Sequence, residues 1–462
     1  MTTRKQTGTP QAGTTLKLFG WKLPVSDALA RRFDIFGIQI PAAGIAVVAG
    51  LTLIAITVFG ILFSRAPQNI SQHIEHRYDV ASPQFTRSMS VLLGPALEPG
   101  NRVEPLVNGD RIFPAMLQAI RSARHSVDFE SYIYWKGEVG KQFAAALSEA
   151  ARRGAKVHVL LDWAGSHKMD QAYINQMGAA GVEILKYHRP QWYRLKHLNN
   201  RTHRKLLIVD GTVGFTGGVG IADEWSGDAQ DPDHWRDTHF RVEGPVVAQL
   251  QGAFADNWTQ VSGEVLHGDD YFPKLDPAGN STAQMFKSSV EGGAESMELM
   301  YLLTIAAAKS SIDLSMAYFI PDSLTMDHIV AAMQRGVRVR VIVPGQYNDS
   351  KLVRAASRAK WKRILEHGGE IYEYQPTMYH CKVLIVDDLW VSVGSTNFDS
   401  RSFSLNDEAN LNVYDAPFAR AQTAQFEKDL AKSRRVTYEE WKSRPIWVKA
   451  WDHVVAFFGP EL

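Results

Sequence analysis

The chain has 462 residues, 45% hydrophobic and 21% charged, which at roughly 150 residues per domain makes two or three domain-sized units. Its one cysteine, Cys381, excludes an internal disulfide framework and a cysteine-ligated zinc site. Fifty Lys and Arg against 49 Asp and Glu leave a net charge of +1, so the chain is not a basic protein built to track nucleic acid, and any polyanion site must be local.

Residues 1–39 form an N-terminal segment carrying Arg4, Lys5, Lys17, Lys22, Arg31 and Arg32. Residues 40–63, IPAAGIAVVAGLTLIAITVFGILF, then run 24 positions without a charge. As a helix this stretch measures about 36 Å, more than the roughly 30 Å hydrocarbon core, and predicts one transmembrane span. A cleaved signal peptide, which has a shorter apolar core nearer the N-terminus, and a buried core helix are the alternatives. Arg65 and Arg77 are the only Lys or Arg in the twenty that follow, so the positive-inside tendency leans to a cytoplasmic N-terminus, with the rest of the chain on the other side of the inner membrane. Residues 64–99 read as a connector.

From about residue 100 the chain repeats itself. AIRSARHSVDF (119–129) matches TIAAAKSSIDL (304–314), RGAKVHVLL (153–161) matches RGVRVRVIV (335–343), and HRKLLIVD (203–210) matches HCKVLIVD (380–387). A period near 180 residues is too long for a solenoid and implies two similar α/β halves: residues 100–268 and 280–430, joined by an Asp/Pro/Gly-rich linker at 269–279.

Each half carries a His-x-Lys at the head of an apolar run. Side chains alternate along a strand, so His203 and Lys205 share a face, as do His380 and Lys382. Asp210 and Asp387, seven residues past each histidine, face the other way and suit a structural role at the strand end, holding the turn that Gly211 opens in the first half. Small-residue loops follow, including Gly217, Gly218 and Ser395, whose backbone N–H groups could cradle phosphate oxygens. A lone histidine is more often structural than catalytic, but the recurrence of the whole pattern points to function. Lysine is a poor metal ligand, so no metal site is expected at these motifs, with His234 and His239 of HWRDTH the weaker metal candidates.

With two HxKxxxxD motifs, the sequence resembles the phospholipase D superfamily. From about Asn108 onward, segments such as NGDRIFPAMLQAI, NNRTHRKLLIVDG, WRDTHFRVEGP and GSTNFDSRSFSLNDE resemble the bacterial cardiolipin synthases within it. The resemblance implies two pseudo-symmetric α/β/α halves forming one catalytic unit, with the six motif residues His203, Lys205, Asp210, His380, Lys382 and Asp387 as its signature and Asn397 holding phosphate. Gly220 stands where the family's first half usually has Asn. Asp237 and Glu408 resemble the family's acidic partners of the imidazoles, with exposed salt-bridge carboxylates as the alternative.

The implied chemistry needs no cofactor. His203 attacks phosphorus to give a phosphatidyl-histidine, His380 protonates the departing glycerol, and a second phosphatidylglycerol accepts the phosphatidyl group to give cardiolipin; phosphatidylethanolamine is an alternative donor. Lys205, Lys382 and Asn397 hold the non-bridging oxygens. The expected partners are anionic phospholipids, phosphatidylglycerol above all, and the membrane. Hydrolysis to phosphatidic acid by the same residues is the alternative; a nuclease and a membrane-tethered binding protein with a dead site are further readings, disfavoured by the charge balance and the intact motifs. Basic clusters at 186–205, with Trp192 and Tyr193, and at 351–363 suit a lipid substrate. In the C-terminal segment 431–462, Trp447, Trp451, Val454, Val455 and Phe458 share one helical face that could lie among headgroups, or simply dock.

Overall fold

A computed structural model describes residues 15–18, 21–24, 32–35, 38–62, 73–187, 200–288 and 296–457. The basic segment with Trp192 and Tyr193 lies largely outside these residues, as does Phe458. The chain forms two compact units, Met1–Ser64 and Arg65–Leu462. In the first, two short antiparallel strand pairs, Thr15–Leu18 with Trp21–Pro24 and Arg32–Ile35 with Ile38–Pro41, precede a 21-residue helix, Ala42–Leu62. Among the described residues no helix is long and apolar enough to cross a membrane; in this one, side chains are described only at 44–55 and 57.

The second unit is built on one sheet of 15 strands. In chain order these are β1 (Glu98–Val107), β2 (Ser126–Ser131), β3 (Lys156–Asp162), β4 (Glu183–Tyr187), β5 (Leu206–Val209), β6 (Val213–Gly217), β7 (Thr238–Glu243), β8 (Ser281–Lys287), β9 (Ser311–Met316), β10 (Arg338–Pro344), β11 (Glu370–Tyr374), β12 (Lys382–Val386), β13 (Trp390–Gly394), β14 (Ala409–Tyr414) and β15 (Ser433–Val436). Read outward from the centre, the order β1-β7-β6-β5-β2-β3-β4 recurs as β8-β14-β13-β12-β9-β10-β11, with β15 added at the edge. The repeated sequence thus makes two equivalent half-sheets, joined where β1 pairs antiparallel with β8. The outer strands β2-β3-β4 and β9-β10-β11 are parallel, and helices Glu138–Arg152, Gln171–Ala179, Ser323–Gln334 and Lys351–Glu366 make the crossovers that parallel pairing requires.

The apolar runs of the two motifs are buried on both faces, as central strands of a covered sheet should be. Leu207 and Val209 enter a core belonging to the first half, Leu384 and Val386 one belonging to the second, while Leu206, Ile208, Val383 and Ile385 enter a third, shared core. Helices Val247–Ser262 and Ala416–Leu430 close that shared core with Leu250, Phe254, Trp258, Phe418 and Phe426. Each such side chain contributes roughly 1.5–3 kcal/mol of burial. Buried polar contacts add specificity between the halves: Arg236 Nε and Nη2 donate to the two oxygens of Asp429 at 3.1 and 2.7 Å, and the Tyr187 hydroxyl donates to Asp407 at 2.7 Å.

Residues 269–279 form no helix or strand. They are tied to β1, because the Ala278 and Gly279 N–H groups donate to Gly100 O at 2.8 and 3.2 Å. A Cβ on Gly279 would meet Asn101 O at 2.5 Å, so only glycine fits this approach.

Candidate active site

The first motif is not one continuous strand. Arg201–Thr202 pairs in parallel with Asn406–Asp407 of the second half, His203 N–H donates to Asp407 O at 2.9 Å, and the chain rejoins the sheet at Leu206. The second motif is entered in the mirrored way. Tyr379 bridges to Arg236 of the first half, His380 N–H donates to Arg236 O at 2.8 Å, and β12 starts at Lys382. Backbone from the opposite half therefore holds each histidine in place.

Within each motif the lysine turns back toward its histidine. Lys205 Nζ donates to His203 O and Lys382 Nζ to His380 O, both at 2.8 Å, and Lys382 Nζ lies 3.2 and 3.3 Å from the two His380 ring nitrogens. The intervening residues point elsewhere. Arg204, fully buried, donates to Ala253 O and Ser288 O, and Cys381 is buried near Thr238, its thiol pushed up to about 12 by burial.

The carboxylates are exchanged between halves. Glu408 of the second half lies 2.9 and 3.0 Å from His203 Nδ1, and Asp237 of the first half lies 2.7 Å from His380 Nδ1. Sheet register makes the two acids equivalent: Gly217 faces His239 and Gly394 faces Asn410, so Asp237 and Glu408 each stand two residues before the matched position. A carboxylate only accepts, so each Nδ1 carries the proton and each Nε2 is left with its lone pair. Ser395 donates to Glu408 at 2.5 Å, while Trp225 Nε1 donates to Asp237 at 3.0 Å. Both acids are fully buried or nearly so. Against the burial that raises them, their imidazole and lysine neighbours hold them below the usual carboxylate range.

Burial dominates the bases. His203 is lowered to about 4, by desolvation and then, against Glu408, by Lys205 and Lys382. His380 is lowered by desolvation and Lys382. Lys205 falls to about 7, mainly through desolvation, with Lys382 adding repulsion. Lys382 acts on His203 and Asp237 acts on Lys205, so the two motifs share one electrostatic environment. An anion placed beside the two lysines would offset their repulsion and favour the protonated forms.

Asp210 and Asp387 each hold a run of backbone N–H groups. Asp210 accepts from the backbone N–H groups of Arg124, His125 and Ser126, and Asp387 from Lys309, Ser310 and Ser311. Each fastens the entry of an adjacent strand, β2 or β9, rather than the turn at Gly211. Both adopt positive φ, 52° and 55°, a conformation that Asp tolerates better than most residues.

The small-residue loops serve the acids first. A Cβ on Gly218 would lie 2.5 Å from Asp237, and one on Gly217 2.6 Å from His239. Asn397 is buried, and its Oδ1 has no partner among the described residues. At Gly220 a Cβ would come 2.8 Å from Ile133 Cβ and 3.3 Å from Trp225, so the first half has no room for the matching amide. His234 bonds to Asp231 at 2.7 Å and His239 is buried alone; among the described residues no three potential ligands gather for a metal.

Sequence reading missed the aromatic wall. Tyr132 stands 5.1 Å from the His203 ring and 5.6 Å from Lys205 Nζ, while Trp225 and Trp235 stand 5.1 and 5.6 Å from the His380 ring. Their only signal was position, within VDFESYIYW, GIADEW and the WRD triplet.

A family model described as "Cardiolipin synthase, PLD-like domain" matches residues 116–256 and 301–430. The chain belongs to this cardiolipin synthase family of phospholipase D-like proteins. It is 34% identical over 360 residues to a cardiolipin synthase of Geobacillus kaustophilus, covering 77% of this chain and 72% of the relative. It is equally identical over 366 residues to the major cardiolipin synthase ClsA of Bacillus subtilis, covering 78% and 76%. A solved phosphatidylserine synthase of Haemophilus influenzae superposes on 82% of this chain and 100% of its own with a TM-score of 0.60 at 15% identity, a likeness of fold.

Proposed function

We propose that this chain makes cardiolipin by transferring a phosphatidyl group from one phosphatidylglycerol to another, with phosphatidylethanolamine as an alternative donor. The observation that carries the reading is the exchange of carboxylates, which gives two imidazoles the same tautomer in one lysine-flanked site. His203 Nε2 attacks phosphorus as the bond to the glycerol oxygen breaks, and Glu408 offsets the positive charge left on the imidazole. His380, protonated when the anionic substrate is bound, gives its Nε2 proton to the departing oxygen. It then takes a proton from the hydroxyl of a second phosphatidylglycerol, whose oxygen displaces His203 and restores the site. Lys205 and Lys382, with Asn397, hold the non-bridging oxygens.

Residues 40–63 anchor this unit in the membrane. Ile45, Val47, Val48, Leu51, Leu53 and Ile54 are exposed around the helix rather than along one stripe, the pattern of a lipid-embedded helix, and Thr57 returns its hydroxyl to Leu53 O at 2.8 Å. The basic residues before residue 40 favour a cytoplasmic N-terminus and a catalytic unit on the opposite side.

The test is incubation of the full chain with phosphatidylglycerol in vesicles, with and without EDTA, and product identification by mass spectrometry. Cardiolipin and glycerol in equal amounts, unaffected by EDTA, are expected. Phosphatidic acid as the main product assigns the chain to hydrolysis instead.

A further inference from the structure

We propose that the C-terminal helix Ile446–Phe457, packed on helix Lys351–Glu366, is a lipid-contact surface that seats the catalytic unit on an anionic bilayer. The choice of a lipid surface rests on the phosphatidyl-transfer reading.

The helix is docked inside out. Its inward side carries Asp452, fully buried, which accepts from Arg358 at 2.8 Å and from Arg444 at 2.5 Å. Beside it Val455, 5% exposed, joins Val353, Ala355, Ala356 and Ile320 in a small cluster. Val455 was expected on the outward face and is corrected here, because the ion pairs of Asp452 fix the rotation of the helix. Its large apolar residues are left outside: Ile446 is 78% exposed, Trp447 71%, and Trp451 and Val454 55% each. At 100° per residue these fall within about 140° of one face. Turning them inward would break two ion pairs to a buried carboxylate.

Charge selects the occupant. Helix Lys351–Glu366 carries six cations and a single carboxylate. Arg354 is paired with Glu373, Arg358 with Asp452, Lys362 with Glu366 and Arg363 with Asp327, whereas among the described residues Lys351 and Lys449 make no ion pair. Because Val455 sits by Val353 and Ala356, and Asp452 by Arg358, the two helices run antiparallel. Lys351 and the half-exposed Leu352 therefore lie near the C-terminal end of the Trp face. Tryptophan beside lysine suits the headgroup layer of an anionic membrane.

The test uses the full chain. Cys381 is buried, so a single added cysteine takes an environment-sensitive fluorophore selectively. Ala450→Cys and Val454→Cys report on the proposed face, and Val265→Cys, 63% exposed elsewhere, is the control. In vesicles containing phosphatidylglycerol, labels at 450 and 454 should be quenched by nitroxide-bearing lipids and shielded from iodide, more so than in pure phosphatidylcholine; the label at 265 should behave oppositely. Labels at 450 and 454 open to iodide in both vesicles overturn the proposal. Shielding from both quenchers, in vesicles and in detergent, overturns it in favour of a second copy. Cardiolipin measured in the same vesicles separates the two readings: lipid quenching without product removes the transfer reading and leaves the surface.

Discussion

Nδ1 of His203 lies 2.9 and 3.0 Å from the carboxylate oxygens of Glu408, 205 residues away and in the opposite half of the sheet. Asp237 does the same for His380 at 2.7 Å. The two acids hold equivalent tautomers, yet in the proposed mechanism the steps they support differ, and that difference is measurable.

Glu408→Gln and Asp237→Asn should each lower kcat with phosphatidylglycerol by roughly 10²–10⁴-fold, the usual worth of positioned acid–base chemistry, with KM little changed. A phosphatidyl ester with a nitrophenol leaving group needs little proton donation. Its first burst of nitrophenol should therefore survive in Asp237→Asn and be lost in Glu408→Gln. Equal loss in both variants would show that the two histidines do not divide the labour.

His380→Ala should react once with the same ester and then stall, because no general base activates the incoming alcohol. Intact-protein mass spectrometry should show one added phosphatidyl group, mapped to the peptide holding His203. His203→Ala should show neither burst nor adduct. An adduct on His380 in that variant would exchange the roles, and no adduct in any form would favour direct in-line transfer.

The pH dependence of kcat/KM reports the substrate-free enzyme. His203, held at about 4, is neutral and nucleophilic at every pH above that. Lys205, at about 7, loses its charge as pH rises through that value, and His380, also lowered, is protonated in a shrinking fraction. The profile should be a bell with an acid limb near 4 and an alkaline limb no higher than about 7. A rate climbing to a plateau through pH 9 would mean that neither cation is required.

Asp210→Ala should leave turnover of the folded enzyme unchanged but cost about 1–3 kcal/mol of stability in denaturant unfolding, because three backbone donors lose their acceptor and Ala is strained at positive φ. Asp387→Ala should behave alike, and Asn at either position should recover part of the loss. A thousandfold fall in kcat for either variant would return these residues to the reaction.

Much of this was legible in the sequence, for reasons particular residues make clear. The runs LLIV and VLIV are apolar at every position because both faces of β5 and β12 are covered, and their repetition carried the two-half architecture. The odd spacing from His203 to Asp210 showed that the acid turns away, but the backbone N–H groups it meets come from a strand entry 84 to 86 residues earlier, which no local pattern encodes. Helical periodicity grouped Val455 with the tryptophans; only the buried ion pairs of Asp452 show that the helix is rotated the other way. Tyr132, Trp225 and Trp235 had no repeat partner to mark them, since the two histidines are walled differently.

Strands β1 and β8 open the two halves and pair with each other at the middle of the sheet, so the rotation that exchanges the halves maps this contact onto itself. It has the form of an isologous subunit interface. A polypeptide with one copy of the fold would expose β1 as an open edge and leave its histidine without a carboxylate, and both defects would be cured by a second, identical chain, at a stoichiometry of one site per two chains. Fusion into one polypeptide removes the requirement that the two sides be the same. Here they have diverged: Asp237 against Glu408, Gly220 against Asn397, an indole against a hydroxyl holding the acid. A symmetric dimer could not assign nucleophile and proton donor to different residues in advance, whereas this chain can.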